Sequence, residues 1–258
     1  MPSGTLRRVA IALALACAAT ATACGGSGVF QQQYEYEEEL YLRLDGSATA
    51  YVNASIPALV ALRGAELNVD PRSRPERERV RAFFTAPGTR ITTPTFSRRD
   101  GRRFVHVRID VDNVRQLARV AAFAWSTYRF ERQGDILVYK QTLGKSAKKD
   151  VGSVGWSGDE MVSFKMHLPS EIPFNNSPKP VQRGNILRWE QYLADRLDGA
   201  PINIEVRMES QSILFRTLWL FAGAFLAAVT LLVLLIWLTI RKGAKQEAMS
   251  KAGSASPE

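Results

Sequence analysis

This 258-residue chain has almost no cysteine: Cys17 and Cys24 are the whole supply, and none follows them. The body of the protein therefore has no thiol for a disulfide, a thiolate metal site or a cysteine nucleophile, and its core alone must hold it together. Histidine is equally scarce, with only His106 and His167, and no Gly-x-Ser-x-Gly elbow occurs. A metallohydrolase or an acyl-transfer enzyme lacks parts, so the chain reads as non-enzymatic, with no metal and no cofactor expected. Acidic residues are outnumbered, 25 against 34 Lys and Arg, for a net charge of +9. Six of the basic and two of the acidic residues fall outside residues 25–216, so the middle of the chain carries a smaller excess of +5. That excess fits either a mixed, solvated surface or one drawn to anionic lipid head groups.

What is present is concentrated at the two ends. Arg7 and Arg8 precede a short apolar run from Val9 to Ala23, and an uncharged stretch from Thr217 to Ile240 precedes Arg241 and Lys242. At ~1.5 Å per residue the first run is too short for a hydrocarbon core of ~30 Å, whereas the second spans roughly 36 Å. Residues 1–23 thus read as a signal peptide and residues 217–240 as a transmembrane helix. The small residues before Cys24 and the Gly25-Gly26-Ser27-Gly28 that follows resemble a bacterial lipoprotein signal, which implies acylation at Cys24. Ala21 stands where that signal usually has Leu, and Cys17 follows a similar Ala14-Leu15-Ala16, so an ordinary secretory cut without lipid is the alternative. Basic flanks stay on the cytoplasmic side, which puts the middle of the chain outside the cell membrane and the C-terminus in the cytoplasm. Nucleic acid is then an unsuitable partner. Residues 241–258, rich in Ala, Ser, Gly and Lys, read as a disordered cytoplasmic tail.

Between a polar lead-in (24–36) and the membrane helix, residues 37–210 read as one extracytoplasmic domain, large enough for a single core. Leu40, Leu42 and Leu44 alternate with Tyr41 and Arg43, Asp45-Gly46-Ser47 turns, and residues 48–55 return, which predicts a hairpin. Residues 56–62 and 76–84 have helical patterns, and Asp112 or Asn113 starts a third helix through about Ala124. Asp100-Gly101 and Gly134-Asp135 mark two further hairpins. Strands are expected over residues 161–168, 186–189 and 202–208, with an irregular Pro-rich connection at 169–183 and one helical turn at 193–197. The fold class is α+β: an antiparallel sheet of about eight hairpin-linked strands, covered on one face by two or three helices.

The strand, Asp45-Gly46-Ser47 and returning strand, the helix that follows, and Gly184-Asn185-Ile186-Leu187-Arg188-Trp189 leading through a last hairpin to the membrane helix resemble the LppM domain family of bacterial lipoproteins. The resemblance covers most of residues 35–240, with residues 56–155 matching only in outline. It implies an envelope-exposed α+β domain on a signal and a membrane anchor, handling lipid or glycolipid rather than carrying a catalytic site.

Candidate sites are few. Arg98, Arg99, Arg102 and Arg103 fall within six positions around a hairpin tip, a basic projection suited to phosphate or carboxylate groups, or simply a soluble turn. His106, Arg108, Asp110 and Asp112 share one strand face, which is either an acid–base or metal site or a solvated face with ~7 Å between successive groups. Trp125, Tyr128, Trp156 and Trp189 either fill the core or line an apolar cleft. Glu37-Glu38-Glu39 and Asp159-Glu160 read as charged edge residues. Gly144-Lys145-Ser146 lacks the earlier Gly of a phosphate-binding loop, since Tyr139 stands there. The expected function is a non-catalytic, membrane-tethered domain that binds membrane lipid, an anionic lipid or an envelope polymer near the bilayer. The alternative is an assembly module for a membrane-protein complex, for which Gly223 and Ala227 supply a small-xxx-small pair.

Overall fold

The Tyr/Glu alternation that opens the body folds as β1 (Tyr34–Leu42), entering the strand three residues before the expected boundary at 37. A computed structural model describes residues 34–253. The expected signal peptide, Cys24 and residues 24–33 of the lead-in lie outside the described residues. β1 turns through Asp45-Gly46-Ser47 into β2 (Ala48–Ser55), as predicted. Asp45 Oδ1 accepts from the Ser47 N–H at 2.9 Å, and Gly46 takes a φ of +84°, open to glycine at little cost.

Helix α1 (Ile56–Arg63) follows at once, with the Ser55 hydroxyl accepting from the Ala58 N–H at its start and left-handed Gly64 closing its end. All residues from Ile56 to Leu62 are buried, because the helix is apolar around its whole circumference and is enclosed by the domain. Helix α2 (Arg77–Phe84) leads through β3 (Thr89–Ile91) and β4 (Thr95–Arg99) to the long β5 (Arg102–Val111). The helix expected from Asn113 is instead two 3-10 segments, Val114–Arg119 and Ala121–Phe123. Val120 between them is extended and fully buried, so the demand of the core for this β-branched side chain breaks the helix. Then come β6 (Ser126–Gln133), β7 (Ile136–Leu143), β8 (Met161–His167), β9 (Phe174–Asn175), β10 (Ile186–Tyr192), the short α3 (Leu193–Leu197) and β11 (Ile202–Glu209).

The α+β class holds, but the strands divide between two sheets. The first has the order β10-β8-β1-β2-β5-β3, with β4 also on β5; the second is β6-β7-β11-β9. All pairs are antiparallel except β1 with β8, where Tyr41 stands beside His167 and Tyr36 beside Val162. A parallel pair cannot be closed by a hairpin, and here the chain between the two strands, residues 43–160, carries β2 to β7 and the first two helices. The inward faces of both sheets and α1 share one apolar core containing Tyr36, Leu40, Leu59, Phe164, Tyr139 and Val206.

Helix α4 (Ile213–Gly253) follows β11 after a link of three residues. Its stretch Thr217–Leu238 is long and apolar enough to cross a membrane. The helix continues past 240, where a disordered tail was expected, in keeping with the good helix formers Ala, Lys, Gln, Glu and Met that follow.

Topology gives the domain two distinct ends. Where the chain leaves, the Glu209 N–H donates to Glu171 O (3.0 Å), the Ser210 N–H to Asp135 O (2.9 Å) and the Ser212 hydroxyl to Pro169 O (3.4 Å). β1 and β8 both run toward this exit end. The Asp100-Gly101 tip lies at the other, beside Tyr34, about 26 Å away along β1.

Candidate functional site

On β1 the residues alternate strictly from Tyr36 to Leu42: Tyr36, Glu38, Leu40 and Leu42 enter the core, while Glu37, Glu39 and Tyr41 stand on the opposite, uncovered face of the first sheet. β1 is a central strand between β2 and β8, which corrects the expectation that Glu37-Glu38-Glu39 are edge residues. The neighbouring strands add Tyr51 and Asn53 from β2, His106 and Arg108 from β5, and Lys165 and His167 from β8. The β3–β4 connection, with Thr92 and Thr93, walls one side, and the result is a groove of about 320 Å³.

The floor of the groove is an organised polar layer. Lys165 Nζ lies 3.0 Å from Glu37 Oε1, and the Asn53 amide donates to Glu37 Oε2 at 3.0 Å. Toward the exit end, His167 bonds Glu39 and stacks flat on Tyr41 with ring centroids 4.0 Å apart; Tyr41 in turn meets Tyr51 edge-on at 5.6 Å. The Arg108 guanidinium lies 5.8 Å from the Tyr51 ring. Both tyrosines are more than a third exposed, so each presents an aromatic surface beside charged groups. Such a floor offers donors, acceptors and ring faces to a polar ligand.

Of the predicted strand-face set, His106 and Arg108 line the groove, while Asp110 accepts from Thr49 (2.6 Å) and Arg108 (3.2 Å), and Asp112 pairs with Arg90 (2.9 Å). Burial raises the Asp110 carboxyl, but those hydrogen bonds outweigh it and hold the group below the usual range. His106 Nε2 lies 2.8 Å from the Ser97 hydroxyl. Burial, reinforced by Arg99, depresses the imidazole below its ordinary value, which keeps it neutral at pH 7. Among the described residues no carboxylate bonds its other ring nitrogen, so this is a Ser–His pair without the third group that orients a base.

The four-arginine projection is corrected by the structure. Asp100 and Gly101 both have positive φ, the tight two-residue turn that an Asp-Gly tip implies. Directly opposed residues then share a face, and each pair grips a different segment. Arg98 and Arg103 both donate to Pro71 O, at 2.8 and 2.6 Å, and Arg103 also bonds Ser73. On the other face Arg99 bonds Tyr34 O and lies over the Phe104 ring at 4.2 Å, while Arg102 pairs with Glu35 and donates to Gly155 O at 2.8 Å. Arg102 and Arg103 are buried, and only Arg98 and Arg99 reach the surface. The tip is a clasp on two loops, set at the end away from α4.

The aromatic set is likewise structural. Trp125, Tyr128 and Trp189 are core residues, and Trp156 donates to Glu35 Oε2 at 3.2 Å. No family model matches the chain, and no curated protein does. Among solved structures, the NMR structure of the folded domain of Mycobacterium tuberculosis LppM is similar, at 13% identity and a TM-score of 0.37, over 72% of this chain and 95% of that one. The likeness is distant.

Sequence reasoning found His106 and Arg108 but missed Glu37, Glu39, Tyr51, Asn53 and Lys165 as their companions. Alternation alone marks each as outward-facing. Only the pairing of β8 with β1 and of β2 with β5 brings them onto one floor.

Proposed function

We propose that this chain is a membrane-tethered extracytoplasmic domain, non-catalytic, that holds a polar envelope component, such as the head group of a lipid or glycolipid, in the groove of its first sheet. The observation that carries this reading is the groove itself: an open, polar, aromatic-flanked recess on a domain joined by three residues to an apolar helix of membrane-crossing length. At about 320 Å³ it lies at the small end of ligand sites, suited to a head group or a sugar unit rather than an acyl chain. Basic Arg241, Lys242 and Lys245, which follow the apolar stretch Thr217–Leu238, support a cytoplasmic C-terminus and hence an external domain. Acylation at Cys24, where it occurs, gives a second attachment.

Native mass spectrometry of the full-length chain, extracted in mild detergent from the membranes of its host, tests the reading. A retained lipid or glycan that disappears in an Arg108→Ala, Lys165→Ala double variant is the expected result. An empty domain accompanied by a stoichiometric membrane protein would replace it with the assembly module.

A further inference from the structure

The chain's route into its apolar helix dictates which part of the domain meets lipid. We infer that the exit end, made by the β6–β7 turn and the segments 169–173 and 181–185, rests directly on the head-group layer of the bilayer that holds α4; this builds on the membrane-tethered reading above.

The first step is depth. Trp219 and Trp237 stand 18 positions apart on α4, which is about 27 Å at the helical rise, close to the hydrocarbon thickness of ~30 Å. Tryptophan concentrates at both boundaries of a bilayer, and the Arg241 guanidinium lies 4.9 Å from the Trp237 ring, as suits a boundary cation. Trp219 therefore marks the outer boundary. Ile213, where the helix begins, is six residues earlier, about 9 Å further out. The head-group layer is itself some 5–8 Å thick on each side.

The second step is stiffness. The link between β11 and α4 is not a free spacer, since Glu209, Ser210 and Ser212 are bonded to Glu171, Asp135 and Pro169 respectively. Asn185 joins the same end by donating to Ser170 O at 2.7 Å. With no slack to stand off, the three segments meet the outer margin of the head groups.

The third step is composition. Val181 is 43% exposed, and Pro173 and Arg183 are exposed beside it; Ile172 is partly covered, and Arg132 flanks the β6–β7 turn. A cleft of about 360 Å³ opens among Ile172, Pro173, Val181 and Asn185, with Glu171 and Glu209 at its rim. Apolar groups beside arginines suit the boundary layer, and the added carboxylates suit head groups that carry an amine as well as a phosphate.

The lack of cysteine in the body makes the test direct. In a Cys17→Ser, Cys24→Ser chain, single labels are placed at Gln182→Cys and Asp135→Cys on the exit end, at Ser153→Cys beside the Arg102 clasp, and at Ala222→Cys in the helix. The full-length proteins are reconstituted in nanodiscs of phosphatidylethanolamine and phosphatidylglycerol containing a head-group nitroxide lipid. Strong fluorescence quenching at 182 and 135, with little at 153, is expected. Quenching at 222 with none above the level of 153 at 182 and 135 overturns the resting surface while leaving the membrane helix intact. Absence of quenching at 222 overturns the membrane-tethered reading and this inference together.

Discussion

Arg102 and Glu35, 67 positions apart, form an ion pair almost completely withdrawn from water: Nε and Nη2 of the arginine both reach Oε1, at 3.1 and 3.0 Å, and Trp156 donates to the other carboxylate oxygen. The pair fastens the hairpin tip to the start of β1. Removing one partner leaves a buried charge alone, so Arg102→Ala or Glu35→Leu should cost about 3–5 kcal/mol. Arg98→Ser, on an exposed side chain, should cost under ~0.5 kcal/mol. Urea unfolding of the full-length variants in detergent, followed by tryptophan fluorescence, checks the contrast; equal losses at 98 and 102 would count against the clasp.

Glu38 supplies a pH dependence. Its carboxyl lies in the core, where burial pushes it up to about 7 against an ordinary value of 4.5, although hydrogen bonds from Tyr36 (3.1 Å) and Gln141 (3.4 Å) and the charge of Arg63 partly offset this. Between those values the folded state keeps a proton that the unfolded state has released. Stability from this group is therefore fully present below about pH 4.5 and falls as pH rises to 7, by an amount on the order of 3 kcal/mol. Glu38→Gln should remove that slope and be the more stable chain at pH 8. Denaturation midpoints at pH 5 and pH 8 for both chains decide it, because other titrating groups cancel in the difference; parallel pH profiles would refute a neutral Glu38.

These two carboxylates also show where reading the sequence reaches its limit. The turns at Asp45-Gly46-Ser47 and Asp100-Gly101 were legible because their residue types act locally, through φ and short hydrogen bonds. So were β8, β11 and the apolar helix, whose periodicity needs no partner. Glu35 and Glu38 were not legible as buried groups, since what covers them, Arg102 and Trp156 in one case and Gln141 in the other, comes from distant strands and loops. The groove escaped for the same reason: it exists only once β8 pairs in parallel with β1, a contact spanning more than a hundred positions.

Gly144 explains the Gly-Lys-Ser triplet without a phosphate. Its N–H donates to Trp125 O at 2.6 Å, and a Cβ placed on it would stand 2.8 Å from that same backbone oxygen. A backbone oxygen at the entry to β6 has little room to yield. Gly144→Ala should therefore destabilise by about 1–3 kcal/mol, whereas the exposed Lys145→Ala should stay within ~0.5 kcal/mol. Thermal unfolding by circular dichroism measures both, and a neutral Gly144→Ala would return the triplet to consideration as a ligand loop.

Trp125 is held between two guanidiniums, with Arg63 Cζ 4.1 Å and Arg196 Cζ 4.7 Å from its ring centroid. Arg63 donates through Nε to Ala122 O at 2.6 Å, and fully buried Arg196 bonds Gly144 O and Ala200 O. One flat cation thus ties α3 to the end of β7 while stacking on the indole, a task that needs several donors in one plane. Lysine keeps the charge but supplies neither the plane nor the fork. Arg196→Lys should thus cost on the order of 2–3 kcal/mol despite the unchanged charge, the range for lost hydrogen bonds to a charged group. In an Arg63→Lys background the cost at 196 should change, because both cations share the ring. A double-mutant cycle from urea unfolding reads this coupling, and strictly additive losses would show that the two arginines act through separate backbone contacts rather than through Trp125.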